Sequence, residues 1–242
     1  RIQHEVEDPE LAALLTPDYP FFCKRVLFID EYYTSFNKPN VRLVNDPNGV
    51  VNITESGVEM ASGDRHDVDV LIYATGFDSN HIPFPVTGRD GVTLADQYGA
   101  NEANNWQMTR PQSLWGMHVE NLPNFYLMIG PQSLNPVTNV TLLCEEQGKY
   151  IANLVARMRQ EGVHEVEPKA EAVADWTARC NASADGKVWL RCNNWYMKST
   201  KSDVEAGRER SQGMWMETYE TYLQHVLGGA GGDQDTLLRF RA

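Results

Sequence analysis

The chain has 242 residues, 42% of them hydrophobic and 22% charged, the balance of a soluble globular protein with a sizeable core. Its formal net charge of −12 argues against nucleic acid and anionic membrane surfaces as partners, and no apolar run approaches the roughly 20 residues of a membrane span. The four cysteines, Cys23, Cys144, Cys180 and Cys192, form no C-x-x-C pair, which argues against structural zinc and a redox dithiol and leaves buried or idle thiols in a reducing cytoplasm.

The chain begins at Arg1 in what reads as mid-helix, so a fragment or processed piece is expected. Asp8 to Leu15 reads as a short helix with Pro9 in its first turn. A loop over 16–22 leads to Lys24-Arg25 and the apolar run Val26–Ile29. Asp30 to Phe36 is expected to make a helical turn or two, closed by Asn37. Val41–Val44 alternates as a strand, and Val50–Thr54 with Gly57–Ala61 as a hairpin. After a turn at Gly63–His66, Val68–Tyr73 reads as a buried strand running into Ala74-Thr75-Gly76. Together these suggest a small antiparallel flap beside a parallel sheet.

From Ser79 to Asn121 helical periodicity is nearly absent, as for loops and short helices. Phe125–Ile129 reads as a strand buried on both faces, ending at Gly130-Pro131. Asn139 or Thr141 caps the next helix, Leu142 to Gln160, with Gly162 at its end. Helices are expected over Lys169–Arg179 and Glu217–Leu227. An aromatic segment at 189–196 and a polar loop at 198–210 separate them, and a flexible tail follows from 228. None of the six histidines, His118 included, has a metal-ligand spacing, so all read as structural or solvated. No G-x-S-x-G elbow appears.

Read locally, Lys24 and Arg25 solvate a strand end or make an anion site; arginine offers a fixed charged fork and lysine a mobile point charge. Likewise Gly130-Pro131 is a strand-to-helix connector or a ligand turn at the positive end of a helix. Order and spacing bear on the choice. Tyr19-Pro20, Lys24-Arg25, Asp30, Tyr32-Tyr33, Asn37 and Asn40-Val41-Arg42-Leu43-Val44 are followed by Ala74-Thr75-Gly76-Phe77-Asp78 and Pro123-Asn124-Phe125. Gly130-Pro131-Gln132-Ser133, Asn139 and Trp195-Tyr196 complete the series. This series resembles the type I Baeyer–Villiger monooxygenases over about residues 5 to 225, with the aryl- and steroid-ketone branch nearest.

The resemblance implies an α/β fold, the C-terminal portion of a flavoprotein with two Rossmann-like domains for FAD and NADPH. Residues 1–72 would complete the NADPH-binding domain with its β flap, 73–227 the FAD-binding domain with a mobile loop, and 228–242 a tail. It implies that Arg25 lies over the flavin and stabilises the negatively charged peroxyflavin, a charge that a fixed guanidinium favours. Lys24 would contact the 2′-phosphate of NADPH, and Trp195 would close near the nicotinamide. Thr75, Gly76 and Asp78 would lie at the junction with the flavin domain. Gly130, Pro131, Asn139 and Val140 would face the flavin ring with backbone amides. The implied reaction inserts one oxygen atom of O2 beside a ketone carbonyl to give an ester or lactone, in the cytoplasm.

No G-x-G-x-x-G occurs, so the phosphate cradles are expected in a missing N-terminal half of the same protein, without which the fragment would be inactive. The alternatives are an N- or S-oxygenating flavin monooxygenase and a non-catalytic interaction module that keeps the scaffold. A dithiol flavoprotein reductase is disfavoured for want of C-x-x-C.

Overall fold

The computed structural model describes residues 1–76, 84–104, 106, 108–133, 138–192, 194, 214–226 and 234–242. Two units divide the chain: Arg1–Tyr19 with Val26–Asp78, and Pro20–Arg25 with Ser79–Ala242. Pro20–Arg25, which interrupts the first unit in sequence, belongs to the second.

In the first unit, α1 (Ile2–Glu5) stops at Val6 and α2 (Pro9–Leu15) starts afresh. Asp8 caps α2 by accepting the Glu10 and Leu11 N–H groups, and Pro9 sits where no N–H donor is required. After α3 (Tyr32–Ser35), Asn37 donates to the Glu5 carbonyl (2.8 Å) and accepts the Glu7 N–H (3.0 Å), tying α3 to the α1–α2 joint.

Next comes an antiparallel meander of β1 (Val50–Ile53), β2 (Gly57–Met60) and β3 (Arg65–Asp67). The expected hairpin is present, but β3 occupies residues read as a turn and the strand expected over Val68–Tyr73 does not form. One bond, Val68 N–H to the Ser56 carbonyl (2.9 Å), carries the ladder past β3. Val26–Ile29 and Val41–Val44 also lie outside strands. Phe28 and Ile72 are 94% and 81% exposed. Apolar, β-branched composition favours a strand only where a neighbour supplies hydrogen bonds and a covering face. Among the described residues no parallel pairing supplies either.

In the second unit, the described residues of 84–121 are irregular, as expected, apart from single 3-10 turns and α4 (Leu94–Tyr98), which a Thr93–Asp96 capping box opens. Phe125–Ile129, expected as a buried strand, makes only an isolated bridge from Tyr126 to His118. The long helix α5 (Val140–Glu161) is capped by Asn139 and ends at a left-handed Gly162. Its buried stripe is Leu143, Gln147, Tyr150, Leu154 and Met158. It packs with α6 (Ala170–Ser183) and α7 (Tyr219–Val226) around Trp115, Met117, Trp176 and Trp215, the main core. β4 (Glu165–Pro168) pairs antiparallel with β5 (Leu238–Arg241), which follows the turn α8 (Gln234–Leu237). Part of the stretch expected as a flexible tail is therefore built into the unit, with Leu238 buried.

Candidate functional site

Residues 129–133 form a sharp turn in place of a strand end. Ile129 and Gln132 both adopt left-handed angles, φ 55° and 63°. Such angles cost about 1 kcal/mol or more for non-glycine residues and persist only where the surroundings enforce them. Three groups of contacts enforce them here. Gly130 N–H donates to the Gly116 carbonyl (2.9 Å). A Cβ on Gly130 would fall 2.7 Å from that oxygen, and one on Gly116 2.5 Å from the Cβ of Ser133. Gln132 turns inward: its Oε1 accepts the Ser113 N–H (3.0 Å), its Nε2 donates to Thr177 Oγ1 (2.9 Å), and its carbonyl accepts Trp176 Nε1–H (3.0 Å). The Ser113 hydroxyl donates to the Pro131 carbonyl. Finally Gln147 of α5, fully buried, accepts the Ile129 N–H on Oε1 (2.9 Å) and donates from Nε2 to Tyr222 Oη (2.8 Å) and Ser133 Oγ (3.2 Å).

The N-terminus of α5 lies about two turns before Gln147. There Asn139 Oδ1 accepts the N–H groups of Thr141 (3.0 Å) and Leu142 (3.3 Å), so amides for a ligand must come from Asn139 and Val140. Val140 and Leu142 on this turn, and Met128 before the Gly130 turn, are exposed. Backbone amides at a positive helix end, apolar side chains and a close-packed glycine turn fit a flat ring carrying partial negative charge.

Lys24 and Arg25 are exposed and follow Cys23, which is fully buried. Cys23 forms a disulfide with Cys192, 169 positions away. This corrects the expectation of thiols: only Cys144 and Cys180 are free. With no local motif, the pairing depends on the fold bringing two distant Cα atoms within bridging reach. It fastens the Lys24-Arg25 segment to the end of a 3-10 segment, Val188–Arg191. Two exposed cations suit a phosphate or an oxyanion. Thr75 and Gly76 lie exposed in the first unit, Gly76 with φ 88°. Asp78 and Trp195 fall outside the described residues.

The structure thus joins Lys24-Arg25 to the 188–192 segment, and Gly130-Pro131 to α5. It adds Gln147, to which sequence reasoning assigned no role. The signal was there: an amide at the position between Leu143 and Tyr150 in the apolar stripe of α5. Gln132 lay within a motif, but nothing local indicated that its side chain turns inward.

No protein-family model matches the chain. It is 33% identical to a Baeyer–Villiger monooxygenase of Pseudooceanicola batsensis over 201 residues, 81% of this chain and 34% of that protein. The cyclohexanone monooxygenase of Rhodococcus sp. Phi1, solved bound to NADP+, superposes on all of this chain with a TM-score of 0.82 at 27% identity. The chain belongs to the Baeyer–Villiger monooxygenase family. OTEMO, solved in complex with FAD and NADP, is similar to 99% of the chain at 26% identity, with a TM-score of 0.83. The chain spans about a third of the length of the first curated relative and 43% and 42% of these two structures. Its fold is thus the corresponding part of an FAD- and NADP-binding Baeyer–Villiger monooxygenase, with mixed helix and sheet.

Proposed function

We propose that the protein carrying this chain is an NADPH- and FAD-dependent monooxygenase that inserts one oxygen atom of O2 beside a ketone carbonyl, giving an ester or lactone. The observation that carries this reading is the family likeness across both units. FAD, reduced by NADPH, would supply the activation of O2 as an anionic oxidant. Arg25, permanently charged, would hold that anion deprotonated and oriented, and Lys24 would take the 2′-phosphate of NADPH. The amides of Asn139 and Val140, with Gly130-Pro131, would meet the flavin ring, while Thr75, Gly76, Asp78 and Trp195 would complete the cofactor sites. The aryl- or steroid-ketone preference belongs to the same reading.

The glycine-rich phosphate turns are assigned to an N-terminal part of the same polypeptide. The partial span of the relatives and the exposed apolar runs Leu27–Ile29 and Val68–Tyr73 support that assignment. The reading takes the protein to be cytoplasmic; among the described residues no helix is long and apolar enough to cross a membrane.

The test compares the complete protein with its Arg25→Ala variant, following flavin reduction by NADPH and products from an aryl and a cyclic ketone. The variant is expected to reduce flavin normally while ester formation falls by about 100-fold or more. Unchanged ester formation would remove Arg25 from this role. A wild type that never reduces flavin would overturn the enzyme reading in favour of a non-catalytic module.

A further inference from the structure

We propose that Gln147 is a positioning residue that sets the Ile129–Ser133 turn against the flavin, so that FAD affinity and the electronic environment of the ring depend on its side-chain amide. The inference rests on the reading that this turn faces the flavin.

Gln147 is the one polar member of the buried stripe of α5, and an amide in such a place is costly unless both of its ends are bonded. Both are. The Ile129 N–H can only donate, which fixes Oε1 towards the turn and Nε2 towards Tyr222 and Ser133. The bonds therefore bracket the turn, one at its entry residue and one at its exit. Tyr222 Oη in turn donates to the Trp115 carbonyl (2.6 Å), which anchors the same amide to α7 and to the loop before Gly116.

What the amide holds is a conformation that does not hold itself. Ile129 is β-branched and left-handed, and its backbone relaxes to negative φ wherever its N–H is released. Gly130 follows directly and has no slack: even a Cβ there would meet the Gly116 oxygen and the Leu127 side chain at 2.7–2.8 Å. A rotation at Ile129 is therefore transmitted to Gly130-Pro131, the backbone assigned to the ring. Gln132 pins the turn from the other side, but its own backbone lies in the turn, so Gln147 is the cleaner handle.

The experiment uses the complete FAD-loaded protein with Gln147→Met, which keeps the volume and deletes the bonds. Leu154→Ala serves as a destabilising control on the same helix stripe, about two turns further on. For each, the dissociation constant for FAD and the absorption spectrum of the bound flavin are measured alongside thermal unfolding. Gln147→Met is expected to weaken FAD binding by about tenfold and to shift the flavin spectrum, the effect of one or two lost buried hydrogen bonds. Leu154→Ala is expected to lower the melting temperature with the spectrum unchanged. Should Gln147→Met not fold, Tyr222→Phe loosens the same amide and is expected to weaken FAD binding by about threefold with a smaller spectral shift. If Gln147→Met, or Tyr222→Phe in its place, loses stability but keeps wild-type affinity and spectrum, the positioning role is wrong while the flavin reading stands. If the wild type takes up no FAD, the flavin reading falls and the role with it.

Discussion

In the core of the second unit the His118 ring lies edge-on to Trp115, Tyr126 and Tyr150, with Nε2 2.9 Å from Tyr150 Oη. Complete burial lowers its pKa from the ordinary 6.5 to about 3. The folded pKa lies below the unfolded one, so the stability contribution is full above pH 6.5. It is lost as pH falls towards 3, because the unfolded state takes up a proton that the folded state refuses. The slope reaches about 1.4 kcal/mol per pH unit from this residue. Melting temperatures between pH 7 and 4 should therefore fall more steeply for wild type than for His118→Phe, and parallel curves would refute the assignment. The sequence could place His118 among structural histidines by its lack of metal-ligand spacing. It could not reveal the depth of burial, which depends on Tyr126 and Tyr150 arriving from elsewhere in the chain.

Among the elements, the β4–β5 pair carries an unusual charge arrangement. The Glu167 side chain is 4% exposed and lies 3.3 Å from both Arg239 and Arg241, with Arg89 at 3.8 Å. Glu165 beside it bonds Arg89 at 2.6 Å. Removing the β5 cations would leave a buried carboxylate with one distant partner, which costs more than the pair contributes. Chemical denaturation of Arg239→Ala/Arg241→Ala is expected to show a loss of about 3 kcal/mol, partly recovered by adding Glu167→Gln. No recovery would mean that β5 contributes by packing alone. The Gly-rich 228–233 stretch gives this region the local composition of a tail. The short Leu238–Arg241 segment becomes a strand only because β4 offers an edge. Val26–Ile29 and Val68–Tyr73 illustrate the converse: strong strand composition that, among the described residues, finds no ladder beyond the single bond of Val68 to Ser56.

At the scale of the whole molecule, the Cys23–Cys192 disulfide closes a loop over a separation of 169 residues. On chain-entropy grounds it stabilises by about 5 kcal/mol through the unfolded state. Reductant should lower the melting temperature of wild type but not of Cys192→Ser, and peptide mapping after alkylation of the unreduced, denatured protein should find Cys144 and Cys180 labelled and Cys23 and Cys192 unlabelled. Labelling of Cys23 and Cys192 would remove the link and leave the Lys24-Arg25 segment without its covalent tie. Alkylation in intact cells extends the check to the cytoplasmic reading, since disulfides are uncommon there. By itself the sequence marked the family through its ordered landmarks and determined what local physics controls: the helix ending at Leu15, the body of α5 and the β1–β2 hairpin. Each follows from side chains acting within a few positions of one another. Only the tertiary structure decided the Cys23–Cys192 pairing, the strand at 238–241, the inward turn of Gln132 and the grip of Gln147 on Ile129. These depend on partners between 18 and 169 positions away, whose meeting no local pattern encodes.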